Sequence, residues 1–144
     1  MNSANTTDVL NRLYAMHNRS LPIYLSYARP WAVPGDRTSM ETLDLIVADQ
    51  KSMIERLGEL ILESGGDVFP GEFPMTFTSL HDLAFDYLVT QLVDFQQRFV
   101  EAIKDCVDQL NLAPMAKAVA EEALGLAQGH LDNLLDLTRE RESA

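Results

Sequence analysis

Four stretches of the chain place apolar residues three and four positions apart, which is the spacing of a helix that buries one face. The predicted helices cover about residues 7–28, residues 38–64 with a start after Thr38 or Ser39, residues 79–110, and residues 114–137. Their apolar stripes continue through almost the whole length of each stretch. The pattern therefore predicts an all-α protein built from four helices.

Prolines and glycines refine where these helices bend, begin and end. Pro22 lies inside the first stripe and lacks a backbone donor, so we expect a kink or local unwinding between residues 18 and 22. Gly65-Gly66 is a strong helix stop, and Pro114 occupies a favoured first helical position. The charged tail, residues 138–144, is expected to fray.

The connections between the predicted helices differ greatly in length. Residues 29–36 contain two prolines and a glycine and predict a turn, and residues 111–113 form a very short link. Residues 67–78 are rich in proline and aromatic residues, so we expect them to be extended. At up to ~3.3 Å per residue, this segment can return along a helix that rises ~1.5 Å per residue. The third helix is then expected to run parallel to the second.

Length and composition limit the class of protein. A chain of 144 residues fits one domain covering residues 1–144. Acidic residues outnumber basic ones, 22 to 11, for a net charge of −11. Nucleic acids and anionic membranes bind cationic surfaces, so this balance argues against both as partners.

Compartment and redox state follow from what the sequence lacks. No apolar run approaches the roughly 20 residues that cross a bilayer, and the first eight residues do not resemble a signal peptide. Cys106 is the single cysteine, so no internal disulfide forms, and its apolar neighbours predict an inert, packed thiol. We expect a cytoplasmic protein.

Each apolar stripe is interrupted near its middle by a polar residue or a short pair. These positions are His17 in the first helix, Gln50 with Met53 in the second, Gln91 in the third, and Ala127 with His130 in the fourth. Each of the four stripes thus carries one side chain with a hydrogen-bonding amide or imidazole. We interpret His17, Gln50, Gln91 and His130 as a candidate polar centre of the bundle.

The three connections between the helices are short, long and short in chain order. This order, and the residues at matching positions of the four helices, resemble the ferritin-like superfamily, which includes bacterioferritins, rubrerythrins and mini-ferritins. In that family a metal-bridging Glu of the first helix is followed seven residues later by Tyr; His17 and Tyr24 occupy these positions. Gln50 and Met53 stand at the first Glu-x-x-His, and Gln91 at the lone Glu of the third helix. Ala127 and His130 stand at the second Glu-x-x-His.

The resemblance implies a ferritin-like four-helix bundle with a long crossover between helices 2 and 3, but with a degenerate metal site. Only His130 matches the family's ligand set. Carboxylates neutralise and bridge the two ions, whereas neutral amides cannot, and the Met53 thioether suits softer metals. We therefore expect no dinuclear iron chemistry and no resident cofactor. The residues still allow a single transition metal.

Three interpretations of the polar centre remain open at this stage. In the first, the four polar side chains satisfy one another as a buried network. In the second, His17 and His130 bind one metal ion, with an amide oxygen or the Asp94 carboxylate completing the site. In the third, a small organic ligand binds in the bundle near Tyr14, Tyr24 and Tyr87.

The function that follows is a non-catalytic pseudo-ferritin domain with a structural or protein-interaction role. A metal-binding protein or metal-dependent oxidoreductase built on His17 and His130 is the alternative. Aromatic residues in the connections are expected to cover the ends of the bundle or to form a subunit interface; they are Trp31, Phe69, Phe73 and Phe77. Because ferritin-like chains usually assemble, we expect a homodimer.

Overall fold

The computed structural model describes residues 3–27, 37–80 and 85–143. Within these ranges the regular structure is all helical and no strand forms, which confirms the predicted all-α class. The α-helices are α1 Ser3–Asn18, α2 Leu21–Tyr27, α3 Arg37–Glu63, α4 Phe85–Asp108 and α5 Pro114–Ser143, and a 3-10 helix covers Met75–Leu80. Trp31 and His81 lie outside the described residues.

The first predicted helix is divided into α1 and α2, as Pro22 indicated. The break falls at Arg19 and Ser20, and Pro22 is the second residue of α2, where a missing backbone donor breaks no helical hydrogen bond. Ser20 Oγ accepts a hydrogen bond from the backbone N–H of Ile23 at 3.3 Å. Ser20 therefore caps the start of α2.

Helix α3 ends at the predicted glycine pair. Gly65 has φ 81°, a left-handed conformation that glycine adopts without a steric penalty. The N–H of Gly65 donates to the carbonyl of Leu62, and the N–H of Gly66 donates to the carbonyl of Ile61, both at 3.0 Å. These two bonds form a Schellman motif, so the predicted stop is confirmed.

The connection after α3 runs beside α1 and is fixed there by two asparagine amides, since Asn18 Nδ2 donates to the carbonyl of Pro70 at 3.3 Å and Asn11 makes two further bonds. Asn11 Nδ2 donates to the carbonyl of Asp67 at 2.8 Å, and Asn11 Oδ1 accepts from the N–H of Phe69 at 2.9 Å. Residues 66–74 have no regular structure, but the 3-10 helix begins at Met75. The prediction of extended chain through residue 78 was therefore wrong at its end, where Thr78 Oγ1 donates back to the carbonyl of Met75.

The last two predicted helices differ from the structure mainly at one end, the start of the third helix and the end of the fourth. The predicted start of the third helix, Ser79, lies in the 3-10 helix, and α4 begins at Phe85 and ends at Asp108. Helix α5 begins at Pro114 as predicted but continues through Ser143, so the predicted fraying of residues 138–144 was wrong over 138–143. Leu134 and Leu137 are buried, and their packing carries the helix into the charged tail.

The helices pack in pairs. Helix α4 lies along α5, α1 lies along α3, and further contacts join α3 to α5, α2 to α3, and α1 to α4. Helix α5 contributes four buried alanines at helical spacing: Ala116, Ala120, Ala123 and Ala127. Between α1 and α3, a Cβ at Gly58 would lie 3.2 Å from the ring of Tyr14, so these two helices also approach closely.

The aromatic residues of the α3–α4 connection divide into packed and exposed ones. Phe73 and Phe77 contact Tyr24, with ring centroids 5.1 Å and 5.4 Å apart, and both pack against a buried apolar cluster. Phe69 is 63% exposed. Among the helices described, none is both long enough and apolar enough to pass through a bilayer.

Candidate functional site

A small cavity lies between α1, α3, α4 and α5 at the height of the predicted polar centre. Its lining comprises His17, Asp49, Gln50, Met53, Phe99, Ala123, Leu126, Ala127 and His130. We call this space the central cavity. The centre of a water molecule can occupy about 10 Å³ of it, roughly the minimum for one bound water. Three of the four predicted residues, His17, Gln50 and His130, therefore come together.

Gln91 is the predicted residue that does not reach the central cavity. It is half-buried, whereas Gln96 is 0% exposed. The buried face of α4 follows Leu88, Leu92, Gln96 and Ile103, a stripe that Gln91 misses by about one position. Gln96 Nε2 donates to the carbonyl of Ala127 at 3.1 Å, so the buried amide of this helix was assigned to the wrong glutamine.

His17 is held as a neutral imidazole. Its Nδ1 lies 2.8 Å from the carbonyl oxygen of Leu13, and since a carbonyl only accepts, Nδ1 carries the proton. Burial lowers the pKa of His17 to about 4; the bond to Leu13 opposes this shift, and the nearby His130 adds to it. Nε2 has no hydrogen-bond partner among the described residues, so its lone pair is available to an occupant of the central cavity.

His130 is oriented by a carboxylate that sequence reasoning missed. Its Nε2 lies 2.8 Å from Oδ2 of Asp49, a side chain that is 35% exposed. Asp94, the carboxylate considered for this place, is exposed and does not line the central cavity. Asp49 directly precedes Gln50 and reads as a solvent-facing residue of α3, and only the packing of α3 against α5 brings it to His130.

Gln50 is bound through its oxygen to the cap of α2. Ser20 Oγ donates to Gln50 Oε1 at 2.6 Å, while Gln50 Nε2 is buried without a hydrogen-bond partner among the described residues. Gln96 Oε1 is likewise buried without a hydrogen-bond partner in the described part of the chain. A buried amide that lacks a partner costs about 1–3 kcal/mol, so an occupant that accepts from Gln50 Nε2 is favoured.

The predicted mutual network of the four polar residues does not form. His17 bonds to Leu13, Gln50 to Ser20 and His130 to Asp49. Each of these three side chains thus has a hydrogen-bond partner that is not one of the four predicted residues. Among the described residues, His17 Nε2 and His130 Nδ1 each keep a lone pair without a hydrogen-bond partner, and Gln50 Nε2 keeps a donor. A single water molecule fits such a set because water both accepts and donates.

The ligand chemistry of the central cavity is limited. Within residues 3–27, 37–80 and 85–143, no group of three or more His, Cys, Asp or Glu side chains is placed to hold a metal ion. The tyrosines considered for an organic ligand, Tyr14, Tyr24 and Tyr87, do not line this space. Cys106 is buried as predicted, and burial raises its pKa, which keeps the thiol protonated.

Comparison with known proteins returns no relative for this chain. No family model matches it, and neither a curated protein nor a solved structure is significantly similar to it. Nothing in these comparisons identifies a ferritin-like family.

Proposed function

We propose that the chain is a ferritin-like four-helix bundle in which α1 and α2 together form the first helix. Contacts between α1–α2 and α3 support an antiparallel pair, because Ser20 meets Gln50 while Tyr14 meets Gly58. Positions with lower residue numbers in the first helix contact positions with higher residue numbers in α3. This residue order is that of two antiparallel helices that follow one another in the chain.

Helix α4 is antiparallel to α1 by the same reasoning. The ring of His17 contacts that of Phe99 at 4.8 Å, and Arg12 pairs with Asp105 at 3.2 Å. If α3 and α4 both oppose α1, they run parallel to each other. The chain that follows α3 must then return along the bundle, which supports a long crossover between α3 and α4.

Helix α5 completes the arrangement. Asp49 meets His130, and Arg56 pairs with Glu122 at 2.6 Å, so α5 opposes α3. A short link joins α4 to α5, with Ala113 N–H donating to the carbonyl of Leu110 at 3.0 Å. Two hairpins joined by one long crossover is the ferritin-like connectivity.

Within this fold we assign a non-catalytic role, structural or in protein interaction, as a homodimer. One observation carries the assignment: Asp49 is the sole carboxylate that lines the central cavity in the described chain, and it is engaged by His130. Two iron ions need several bridging and charge-neutralising carboxylates. The proposed domain therefore lacks di-iron oxidation and iron storage.

Iron oxidation by the purified protein tests this assignment. Anaerobic Fe(II) is added at two equivalents per chain, air is admitted, and Fe(III) formation is followed by absorbance. We expect the rate in buffer alone and no protein-bound iron after gel filtration. Rapid oxidation saturating at two irons per chain would overturn the proposal, and light scattering during gel filtration checks the dimer independently.

A second candidate, a single metal ion, is favoured by the way the histidines are held. Metal-ligating histidines donate one ring N–H to a carbonyl or carboxylate and bind metal with the other nitrogen. His17 bonds to Leu13 and His130 to Asp49 in this manner. With the Met53 thioether also lining the central cavity, this neutral, soft ligand set would suit Cu(I).

Elemental analysis distinguishes the two candidates. The metal content per chain is measured for the natural protein, for His130→Ala and for His81→Ala. Each is analysed after purification without chelators and again after reconstitution with Cu(I). His81→Ala is the control because it alters the one histidine other than His17 and His130. A structural domain gives substoichiometric metal in all three. One copper per chain that His130→Ala removes and His81→Ala retains would favour the metal site.

A further inference from the structure

A second concavity lies on the surface between the end of α1, the 3-10 helix and α4. It is lined by apolar side chains, among them Met16, Phe77, Phe95 and Phe99, and by two arginines, Arg19 and Arg98. We call it the arginine groove. Its volume of about 430 Å³ is within the range of small-molecule sites, which are mostly apolar with a few polar groups.

The two arginines are unusual in having no carboxylate partner. Arg12, Arg37, Arg56 and Arg139 each form an ion pair with an acidic side chain. Neither Arg19 nor Arg98 has such a pair within the part of the chain that the structure describes, and the lining of the groove includes no acidic residue. In a chain with 22 acidic and 11 basic residues, two unpaired guanidinium groups at one concavity indicate an anionic ligand.

Helix electrostatics account for one arginine only. Arg19 directly follows the last residue of α1, where a positive charge interacts favourably with the helix dipole. Arg98 lies in the middle of α4, where no such benefit exists. Asp94, one turn earlier on the same helix face, forms no ion pair with Arg98 among the described residues, so the position of Arg98 still requires an explanation.

The apolar wall of the groove is aromatic and continuous. The Phe77 and Phe95 rings are 6.3 Å apart in an edge-to-face arrangement, and Phe95 and Phe99 stack at 5.4 Å. Phe77 and Phe95 are half-buried, so part of each ring faces the groove. A flat ring in the groove would gain aromatic contact, and its carboxylate would reach guanidinium groups suited to bidentate hydrogen bonding.

We propose that the arginine groove binds a small organic acid with an aromatic body. The ring lies against Phe77, Phe95 and Phe99, and the carboxylate pairs with Arg19 and Arg98. Polyanions such as nucleic acid do not fit, because the net charge of −11 repels an extended anion while two arginines suffice for one carboxylate. This binding site is independent of the central cavity and of the structural role proposed above.

Titration with a matched pair of probes tests the proposal. Chemical shifts of the ¹⁵N-labelled full chain are followed with 2-naphthoate and with the neutral 2-naphthamide. We expect saturable shifts for residues of α1, the 3-10 helix and α4 at the groove, with naphthoate binding at least about five-fold tighter, a difference near 1 kcal/mol. Equal affinity for the two probes, or no saturation with naphthoate, would overturn it.

Variants locate the effect. Arg19→Gln and Arg98→Gln are each expected to weaken naphthoate binding several-fold and to leave naphthamide unchanged. Arg139→Gln, on the exposed face of α5, makes the same change in net charge and should have no effect. Ala102→Leu, which narrows the groove while retaining both arginines, should weaken both probes. Undiminished naphthoate binding in the Arg19→Gln/Arg98→Gln double variant would contradict the assigned carboxylate position.

Discussion

The central cavity and the arginine groove lie on either side of one side chain, since Phe99 lines both. In the central cavity, the bonds of His17, Gln50 and His130 go to other groups of the same chain. In the arginine groove, the charges of Arg19 and Arg98 are left to solvent or to a ligand. The difference follows from burial, because a polar group without water must find its partner within the protein.

This contrast separates residues that report on the fold from residues that report on binding. Partly buried pairs such as Asp49 with His130 tie one helix to another and fix their register. Exposed, unpaired arginines contribute little to the free energy of folding and remain available for recognition. Stability measurements should therefore respond to changes at the central cavity, and ligand titrations to changes at the groove.

The largest expected effect comes from protonation of His17. Its pKa is 6.5 in the unfolded chain and about 4 in the folded one, so below pH 6.5 the unfolded state binds more protons. The stabilisation is fully present above pH 6.5, declines as the pH falls toward 4, and is lost below it. A shift of this size corresponds to roughly 3 kcal/mol.

Urea denaturation at pH 7.5 and pH 4 measures this contribution against a non-titrating variant. His17→Asn retains a donor near the position of Nδ1 for the Leu13 carbonyl but does not ionise. The free energy of unfolding of the natural chain should fall by roughly 3 kcal/mol more than that of His17→Asn. Parallel pH profiles for the two proteins would mean that His17 is hydrated in the folded state.

Removal of the Asp49 carboxylate is expected to have the next largest effect. In Asp49→Ala the Nε2–H of His130, whose side chain is 6% exposed, loses its acceptor. We expect the free energy of unfolding to fall by about 1–3 kcal/mol. Asp94→Ala is the matched control on exposed surface and should change it by less than about 0.5 kcal/mol. Equal effects of the two changes would show that the Asp49–His130 pair is not formed.

The cap of α2 should contribute somewhat less. Ser20 donates to Gln50 and accepts from Ile23, and replacing an N-cap serine by alanine typically costs about 1 kcal/mol. We expect Ser20→Ala to lower the free energy of unfolding by about 1–2 kcal/mol, with Ser52→Ala on the exposed side of α3 as the control. If Ser20→Ala left the free energy of unfolding unchanged, Pro22 alone would determine the break between α1 and α2.

Local sequence signals predicted the features that depend on a few adjacent residues. The break near Pro22, the stop at Gly65-Gly66 and the start at Pro114 each follow from backbone chemistry within one turn. Gln50 and Met53 were placed on the buried face of α3 for the same reason, because the apolar residues around them are regularly spaced. These features do not need knowledge of neighbouring helices.

Features that depend on tertiary packing were missed. Gln91 and Gln96 are the same residue type on adjacent faces of α4, and the helix packing decides which face is buried. Asp49 belongs to an exposed stripe until α5 lies beside it. The helical tail after Leu137 also needs the contacts of its buried leucines, since its charged residues alone predict fraying. The arginine groove joins three separate segments and has no signal in the linear sequence.

The smallest effect on stability is expected at the arginine groove, which makes it the sharpest check of the contrast between the two regions. In the Arg19→Gln/Arg98→Gln double variant, the free energy of unfolding should change by less than about 0.5 kcal/mol per site, because neither guanidinium pairs with a carboxylate within the described residues. Chemical denaturation of this variant, measured beside Asp49→Ala, gives the comparison directly. If the free energy of unfolding fell as much as in Asp49→Ala, the arginines would be holding the 3-10 helix against α4. Their position would then be explained by folding, without a ligand. An unchanged stability together with lost naphthoate binding is the combination that a recognition site predicts, because the two exposed guanidinium groups then contribute to binding and not to the free energy of folding.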